Sequence, residues 1–498
     1  MASLASCRKL PVADEGPMSV RQALTFAFLD RYASLVVGIG SSMILARLLT
    51  PADVAVFSIA AVLLGFLASV RELGAGQYLV RATELDNECI RAVWTVQLGL
   101  GVLLACAVAA GATPVAAIYR EPRMRDILLV LALNYLVNPF GSLTHAWLTR
   151  ELRFESIALA RFSGAVVGAL LSITLAWRGH GPVSLALGNL ASSVVNAAVL
   201  LPRRPGFFPW LPGLRGVTRV ISFGGALTSA NLLWTVAKGA PEILLGRLQG
   251  LTTAGLYARA SGLVEIFYRF VTDIVHGVAL SSFAQEARQS GDFSRSFVKA
   301  TGHVTAIGWT FCLTIVFLAH PIISLLFGPQ WGGAVDVARV LAVAMVFGVP
   351  VTLCFAALVA AGAVTRAFHA TVLSTAVTVV LVAGGAWFGL LHAGWACTLA
   401  SAFDAVLFMA LTQRCIRFGW PDLRAALLKS AMVAGCAALG PAAAWLAFGS
   451  GPGHILPSLA VGLTGGAAGF IAAVFLFGHP IREELRLLWA KVQALRGT

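Results

Sequence analysis

The sequence has few charged residues and no polar stretch long enough to form a water-soluble domain. Only 12% of its 498 residues are charged and 58% are hydrophobic, whereas an ordinary soluble domain carries about 25% charged residues. Such a chain cannot cover a water-facing surface with polar side chains, which predicts that lipid is its solvent. The gaps between its apolar segments are all shorter than the roughly 50 residues of a small domain, so a separate soluble module is excluded.

Motifs for catalysis and cofactor binding are also missing. No Gly-x-x-x-x-Gly-Lys-Ser/Thr loop is present, which excludes the nucleotide-binding modules that use this loop. The 8 cysteines include no Cys-x-x-Cys pair, and the 9 histidines form no His-Glu-x-x-His motif. The sequence therefore predicts no metal site, no cofactor and no enzyme that works by covalent catalysis.

Long apolar segments fill most of the chain. A hydrocarbon core about 30 Å thick needs about 20 apolar residues in a helix, and the sequence offers about fourteen such segments. They are centred on residues 26–48, 52–70, 92–111, 126–147, 156–177, 182–201, 221–246, 252–277, 300–320, 335–361, 368–390, 394–412, 426–448 and 455–478. The prediction is an all-α integral membrane protein with a transmembrane helix at each of these places.

Lys and Arg are distributed unevenly between alternate loops. If the N-terminus is cytoplasmic, the cytoplasmic side carries roughly three times as many of them as the outer side, as the positive-inside rule requires. The outer group includes Arg47, Arg123 and Arg259. We therefore predict that both termini are cytoplasmic. The net charge of +14 then needs no nucleic acid partner.

The chain contains an internal repeat. A shift of 200 residues aligns Ile44–Leu48 with Leu244–Leu248, and Ala55–Phe57 with Gly255–Tyr257. Both segments join an odd-numbered predicted span to the next one. Six spans per unit return the chain to its starting side, which predicts two parallel repeats related by an axis along the membrane normal.

The repeat predicts the domain organisation. Between the halves lie four prolines at 202–212, which forbid a continuous helix and indicate a linker. The predicted parts are a cytoplasmic N-terminal tail at 1–23, an N-lobe of six helices at 24–201, a Pro-rich cytoplasmic linker at 202–219, a C-lobe of six helices at 220–413, and two further helices with a cytoplasmic tail at 414–498. Two such lobes with a cleft between them suit alternating access.

Three stretches of the chain carry a resemblance to a known family. They are Leu48–Asp53 continuing through Glu72–Gln77 to Arg81, then Leu244–Leu248 through Gly255–Tyr257, and finally Leu326–Trp331 followed by Ala334. The first resembles the first helical hairpin of the Wzx-like flippases, which are the polysaccharide transporters of the multidrug/oligosaccharidyl-lipid/polysaccharide exporter superfamily. The second resembles that family's seventh-to-eighth span turn, and the third resembles the turn before its tenth span. The resemblance covers residues 25–420 and departs from the family at Ala55, where Gly is usual, and at Arg71, where an uncharged or small residue is usual.

The resemblance implies a function. It implies a flippase that moves undecaprenyl-pyrophosphate-linked oligosaccharide repeat units from the cytoplasmic to the periplasmic leaflet of the bacterial inner membrane, for export of exopolysaccharide, lipopolysaccharide or another surface polysaccharide. The implied partners are this lipid-linked oligosaccharide, membrane lipids, and a polysaccharide polymerase with its export machinery. The implied oligomeric state is a monomer.

Ionisable side chains inside the predicted spans are the candidate site residues, because each costs at least about 2.5 kcal/mol at the bilayer centre. The candidates for binding the substrate pyrophosphate are the basic residues Arg31, Lys238 and Arg269. The candidates for ion coupling are the acids Asp404, Glu265, Asp273 and Glu242. Pro241, between Lys238 and Glu242, favours a position of Lys238 beside a cavity, because proline opens the helical backbone.

The same residues also permit purely structural roles. The four-residue spacing of Glu265, Arg269 and Asp273 would let the acids neutralise the arginine within one helix, and Lys238 with Glu242 would form a similar pair. Arg31 would reach the membrane interface with its long side chain, and Asp404 would bond a hydroxyl such as that of Ser401.

Two other functions compete with a flippase. A cation-coupled small-molecule or multidrug exporter of the same superfamily would favour an acidic cleft, whereas a pyrophosphate cargo favours Arg and Lys. A membrane polysaccharide polymerase or ligase would need a large outer loop, and the predicted outer loops are all short. The basic residues in the spans favour the flippase.

Overall fold

The computed structural model describes residues 20–72, 76, 78, 79, 86–151, 153–206, 208–267, 273–289, 292–449, 452–483 and 486. Within these ranges, the description of the side chains leaves out residues 20–31, 72, 219, 222–231, 267, 273–278 and 452.

The described residues form sixteen α-helices and three short 3₁₀ turns, with no β-strand among them. The helices are α1 Val20–Leu48, α2 Pro51–Glu72, α3 Asn87–Tyr119, α4 Arg123–Arg150, α5 Phe154–Trp177, α6 Val183–Leu200, α7 Val217–Leu248, α8 Leu251–Phe267, α9 Asp273–Gln289, α10 Ser294–Leu326, α11 Val335–Val351, α12 Cys354–Ala360, α13 Val364–Phe388, α14 Leu390–Ile416, α15 Trp420–Phe448 and α16 Ile455–Leu476. The 3₁₀ turns are Leu201–Arg203, Pro329–Ala334 and Pro452–His454.

The helices coincide with the predicted spans. Twelve predicted spans each fall on one helix, whereas 252–277 falls on α8 and α9, and 335–361 on α11 and α12. In the described part of the chain, 11 helical segments are long and apolar enough to cross a membrane, and Tyr32–Leu48 adds a shorter apolar one. The prediction of an all-α, multi-pass membrane protein is confirmed.

Close helix packing depends on small residues. At the α5–α6 contact, a Cβ added to Gly168 would lie 2.7 Å from the carbonyl oxygen of Gly188. At the α15–α16 contact, a Cβ on Gly469 would lie 2.6 Å from the carbonyl oxygen of Cys436. Lipid offers little hydrophobic drive for helix association, so such backbone-to-backbone approach is a main source of packing energy.

Most helix–helix packing lies within one half of the chain, and few helix pairs connect the two halves. In the first half, α1 packs on α5, α3 on α4, and α6 on both α4 and α5. In the second half, α11 packs on α10 and α14, and α13 on α7 and α14, while α15 and α16 pack on each other and on α10. The first half meets the second chiefly through α2, which packs against α7 and α8. The predicted lobe boundaries themselves stay a prediction.

The proline-rich segment between α6 and α7 is attached to α3. The guanidinium of Arg204 stacks 3.6 Å from the ring centre of Trp210, and Trp94 Nε1 donates to the Trp210 carbonyl oxygen at 3.0 Å. Thr95 Oγ1 accepts from the backbone N–H of Gly213 at 2.8 Å. The prolines end the helix as expected, and aromatic contacts hold the irregular backbone that follows.

We expect Gly168→Leu to lower the thermal unfolding temperature of the detergent-solubilised protein. The new side chain would push α5 away from the Gly188 backbone, and overpacking of this kind costs about 1–3 kcal/mol. Gly99→Leu on α3 is the matched control, because a Cβ at Gly99 would meet nothing within 4 Å. Equal unfolding temperatures for the two variants would contradict this account of the α5–α6 contact.

Candidate functional site

Three turns of the chain meet at one end of the helix bundle, and they contain most of the stretches that carry the family resemblance. They are the α1–α2 turn at Ala46–Asp53, the α7–α8 turn at Gly246–Gly255, and the α10–α11 turn at Leu325–Ala334. We call these three turns the seal, because their contacts close this end of the junction between the halves.

Hydrogen bonds join the first and third turns of the seal. Gln330 Nε2 donates to the carbonyl oxygens of Ala46 and Leu49, the second at 3.1 Å. Trp331 is fully buried, and its Nε1 donates to the same Ala46 oxygen at 2.9 Å. These two side chains satisfy the carbonyl groups that the last turn of α1 leaves free.

Close backbone approach joins the first and second turns of the seal. A Cβ at Gly255 would collide with the backbone carbonyl of Pro51, and a Cβ at Gly246 would collide with the Ile59 side chain. These turns are the two segments that the 200-residue repeat aligns. The repeated sequence therefore forms both sides of one contact between the halves.

Arg259 on α8 is a partly buried residue beside the seal, and the sequence analysis did not select it as a site residue. The carbon of its guanidinium lies 4.7 Å from the ring centres of both Phe327 and Trp331. Its Nη1 donates to Ser42 Oγ on α1 at 2.7 Å, and its Nε is buried without a hydrogen-bond partner among the described residues. The assignment of Lys and Arg to alternate loops placed Arg259 in the outer group. The sequence alone does not show that two aromatic rings cover its guanidinium.

Lys238 on α7 and Glu265 on α8 form an ion pair, with 3.0 Å between Nζ and Oε1. Both side chains stay partly accessible, at 38% and 35%, and Lys238 Nζ also lies 4.4 Å from the ring centre of Trp234. Lys238 lies ten residues before the end of α7, which is about 15 Å along the helix and half of a 30 Å hydrocarbon core. With α7 taken as a membrane-spanning helix, the pair is near mid-depth, and both of its side chains keep accessible surface.

Glu242 faces another helix rather than Lys238. Its carboxylate accepts a hydrogen bond from Ser58 Oγ on α2. Farther along the same interface, Ser69 Oγ and Thr235 Oγ1 lie 3.3 Å apart. Glu242 therefore belongs to the polar contact between α2 and α7. The predicted ion pair with Lys238 within α7 does not account for its hydrogen bond with Ser58.

Asp404 on α14 is next to the hydroxyl of Ser374 on α13. Its Oδ1 is buried and has no hydrogen-bond partner within the described ranges. The sequence predicts a hydroxyl partner such as Ser401 on the same helix. The hydroxyl beside the carboxyl group is that of Ser374, so Asp404 lies between two helices of the second half.

The remaining candidates lie wholly or partly outside the described residues. The structure gives the backbone of α1 at Arg31 and of α9 at Asp273, but neither side chain is among those described, and Arg269 falls in the undescribed segment 268–272. The convergence of Arg31, Lys238 and Arg269 on one ligand stays a prediction. Across the residues with a described placement, no three His, Cys, Asp or Glu side chains come together as metal ligands would.

The sequence matches one protein family and several named relatives. The family described as "Polysaccharide biosynthesis protein" matches residues 44–336. The succinoglycan biosynthesis transport protein ExoT of Rhizobium meliloti (strain 1021) is 25% identical over 303 residues, which are 60% of this chain and 60% of that protein. The lipopolysaccharide biosynthesis protein WzxC of Escherichia coli (strain K12) is 20% identical over 318 residues, 62% of this chain and 64% of that protein. The chain thus covers less than two thirds of either relative.

Two kinds of solved structure share the fold. The lipid II flippase MurJ, in an inward closed conformation, gives a TM-score of 0.73 at 12% identity, covering 93% of this chain and 100% of the other. An inward-facing MATE family multidrug resistance transporter of the MOP superfamily gives 0.54 at 16% identity, covering 80% and 95%. At these identities the likeness concerns the fold, which is that of multi-helix membrane transporters.

We expect Gly255→Leu to open the seal. The leucine would collide with the Pro51 carbonyl. The α1–α2 and α7–α8 turns would then separate and expose neighbouring residues that are now buried. A cysteine placed at Leu49, which is 2% exposed, should then react several-fold faster with a water-soluble maleimide, as read by mass spectrometry of the labelled peptide.

The matched control for the seal is Gly262→Leu. Gly262 is on the same helix, but a Cβ there would meet nothing within 4 Å. Labelling of the cysteine at Leu49 should stay slow in this background. Equally slow labelling with Gly255→Leu would show that the glycine contact does not hold the seal.

Proposed function

Because the chain belongs to the family of polysaccharide biosynthesis proteins, we propose that it is a flippase for undecaprenyl-pyrophosphate-linked oligosaccharide repeat units. It would carry them from the cytoplasmic to the periplasmic leaflet by alternating access, without covalent catalysis. The observation that carries the proposal is the Lys238–Glu265 pair, partly accessible at mid-depth, on the two helices through which the halves meet. The proposed location is the bacterial inner membrane, and the proposed partners include a polysaccharide polymerase with its export machinery.

The predicted topology gives the seal a side of the membrane. With both termini cytoplasmic, α1 ends and α2 begins at the periplasmic face, so the seal would close the cleft on that side. A cargo would then reach Lys238 from the cytoplasmic side and leave only after the seal opens. This is the order of steps that alternating access requires.

Lys238 would bind the pyrophosphate by exchanging partners. A pyrophosphate oxygen would replace the Glu265 carboxylate at Nζ, so the ammonium keeps a negative partner in a region of low dielectric. Arg31 and Arg269 would add further positive charge from α1 and from the segment after α8. The exchange would free Glu265, which would then be available to take a proton.

The acids would couple transport to an ion gradient. Asp404 has an unpartnered buried oxygen within the described part, and Glu242 joins α2 to α7. Protonation of Glu242 would alter the contact between the halves, and Asp404 would hold a proton between α13 and α14. Asp273 is the fourth candidate, on α9. The chain would act as a monomer, with membrane lipids around it.

A cation-coupled small-molecule exporter is the second candidate function. One observation favours it, because Glu265 offsets the charge of Lys238 and leaves that part of the cleft without net positive charge. The two functions differ in what they bind: the exporter would take an organic cation, whereas the flippase would take a prenyl pyrophosphate.

We expect Lys238→Gln and Glu265→Gln to change prenyl pyrophosphate binding in opposite directions. Loss of the ammonium should weaken binding of geranylgeranyl pyrophosphate about tenfold or more, as for a charge-assisted hydrogen bond. Loss of the competing carboxylate should tighten it. Equilibrium binding in detergent measures both, and flipping of a prenyl-pyrophosphate oligosaccharide in proteoliposomes should fall with Lys238→Gln.

The control for this pair is Lys299→Gln, which breaks the exposed Lys299–Glu483 pair with its 3.6 Å separation. Its binding and flipping should equal those of the unchanged protein. If Lys238→Gln and Glu265→Gln weakened binding equally, the pair would have a structural role only. Binding of an organic cation in place of the pyrophosphate would favour the exporter.

We expect flipping to depend on Asp404 and on the proton gradient together. In proteoliposomes, an uncoupler should slow the initial rate for the unchanged protein, because protons that bind and leave Asp404 supply free energy for transport only while a proton gradient exists. Asp404→Asn should be slow and insensitive to the uncoupler, with Ser401→Ala as the control. An unchanged rate on uncoupling would show that protons do not drive transport.

A further inference from the structure

A cavity of about 520 Å³ opens between the α12–α13 turn and the end of α14, and the proposed function does not use it. Arg366, Arg414 and Arg417 line it, together with Gly362, Ala363 and Cys415. No carboxylate is among its lining residues. Three guanidinium groups around one cavity repel one another unless an anion lies between them.

The three arginines have no acidic partner in the part of the chain that the structure describes. The polar contact of Arg366 is with Cys415 Sγ, 3.8 Å from its Nη1. All three arginines are exposed, and all three line the same cavity.

The negative end of the α14 dipole is too weak to neutralise three arginines. Arg414 lies in the last turn of α14 and Arg417 just beyond it, where a helix carries a partial charge of about −0.5. Three full positive charges exceed that several-fold. In addition, the first turn of α13 contains no acidic residue and receives no side-chain cap, so its free N–H groups add positive potential beside the same cavity.

The cavity lies at the end of the bundle opposite the seal. Gln249 Nε2, in the α7–α8 turn, donates to the carbonyl of Trp387 at 2.9 Å, so α13 ends beside the seal and begins at the opposite end. Trp420, three residues after Arg417, is exposed at this end of the bundle. Exposed tryptophans are typical of the headgroup level of a membrane.

We propose that this cavity binds a phosphate-bearing headgroup at the membrane surface. Guanidinium groups bind phosphate oxygens bidentately, and three of them match the charge of a pyrophosphate or the phosphodiester of an anionic lipid. The volume lies within the range of about 300–1,000 Å³ that small-ligand sites occupy. The inference goes beyond the proposed transport function, because binding at this cavity can be measured without transport.

Protection of Cys415 tests the proposal in the unchanged protein. A ligand among the arginines should cover the Cys415 sulfur and slow its reaction with N-ethylmaleimide at least fivefold, as read from the Cys415 peptide by mass spectrometry. The probes are inorganic pyrophosphate, geranylgeranyl pyrophosphate in detergent, and vesicles containing phosphatidylglycerol. The exposed Cys106 on α3 is the internal control, because its labelling should not change.

The pattern of protection by the three probes shows whether the phosphate group of the ligand must belong to a lipid. Protection by all three supports a site that recognises phosphate alone, whereas protection by a lipid probe only supports one that also needs the membrane. If none of the three protects Cys415, the proposal is wrong.

Substitutions provide an independent measurement. In the triple variant Arg366→Gln, Arg414→Gln and Arg417→Asn, protection of Cys415 should need at least a tenfold higher concentration of the protecting probe. Asn is used at position 417 because Arg417 has a φ of 56°, a left-handed conformation that asparagine tolerates. Arg424→Gln on α15, an exposed arginine outside the cavity, should bind as the unchanged protein does.

A second variant distinguishes loss of the site from loss of the fold. Arg366→Lys with Arg414→Lys keeps the charge but not the bidentate geometry, and should bind with intermediate affinity. Unchanged binding in the triple variant, or an equal loss with Arg424→Gln, would overturn the proposal. Because protection of Cys415 is read at this cavity and not at Lys238, these assays fail or succeed independently of the proposed function.

Discussion

The contact between the α1–α2 turn and the α7–α8 turn is the constraint on which the rest of the structure depends. Gly255 allows the second turn to touch the first at backbone distance, and Gly246 leaves room for the Ile59 side chain of α2. From there α2 packs along α7 and α8. In lipid, such close approach supplies association energy that apolar side chains alone do not. A small number of glycines therefore sets how the two halves of the chain meet.

The same contact positions the polar residues at mid-depth. Lys238, Glu242 and Gly246 are spaced four residues apart on α7, so they share one helical face. Along that face, Gly246 packs in the seal, Glu242 bonds Ser58 on α2, and Lys238 pairs with Glu265 on α8. The charged pair therefore joins the two helices of the second half that pack against α2, where a relative movement of α2 and α7 would change its surroundings.

The fold was largely predictable and the pairing of the charges was not. Apolar length alone specifies a membrane helix, so the predicted spans coincide with helices, and only 252–277 and 335–361 contain two. Sequence spacing, however, reveals neighbours only within one helix. Glu265 reaches Lys238, and Ser58 reaches Glu242, from other helices, because tertiary packing and not helical periodicity brings these side chains together.

The seal and the mid-depth pair would respond to each other because rigid helices connect them. Arg259 and Glu265 are on α8, at a separation of six residues or about 9 Å along the helix axis. Arg259 is held by Ser42 and two aromatic rings, while Glu265 holds Lys238. A ligand that binds Lys238 in place of Glu265 removes one of the bonds between α7 and α8. A shift of α8 would then move the Arg259 guanidinium beside the seal. Helices α7 and α8 alone would be enough to couple the seal to the Lys238–Glu265 pair.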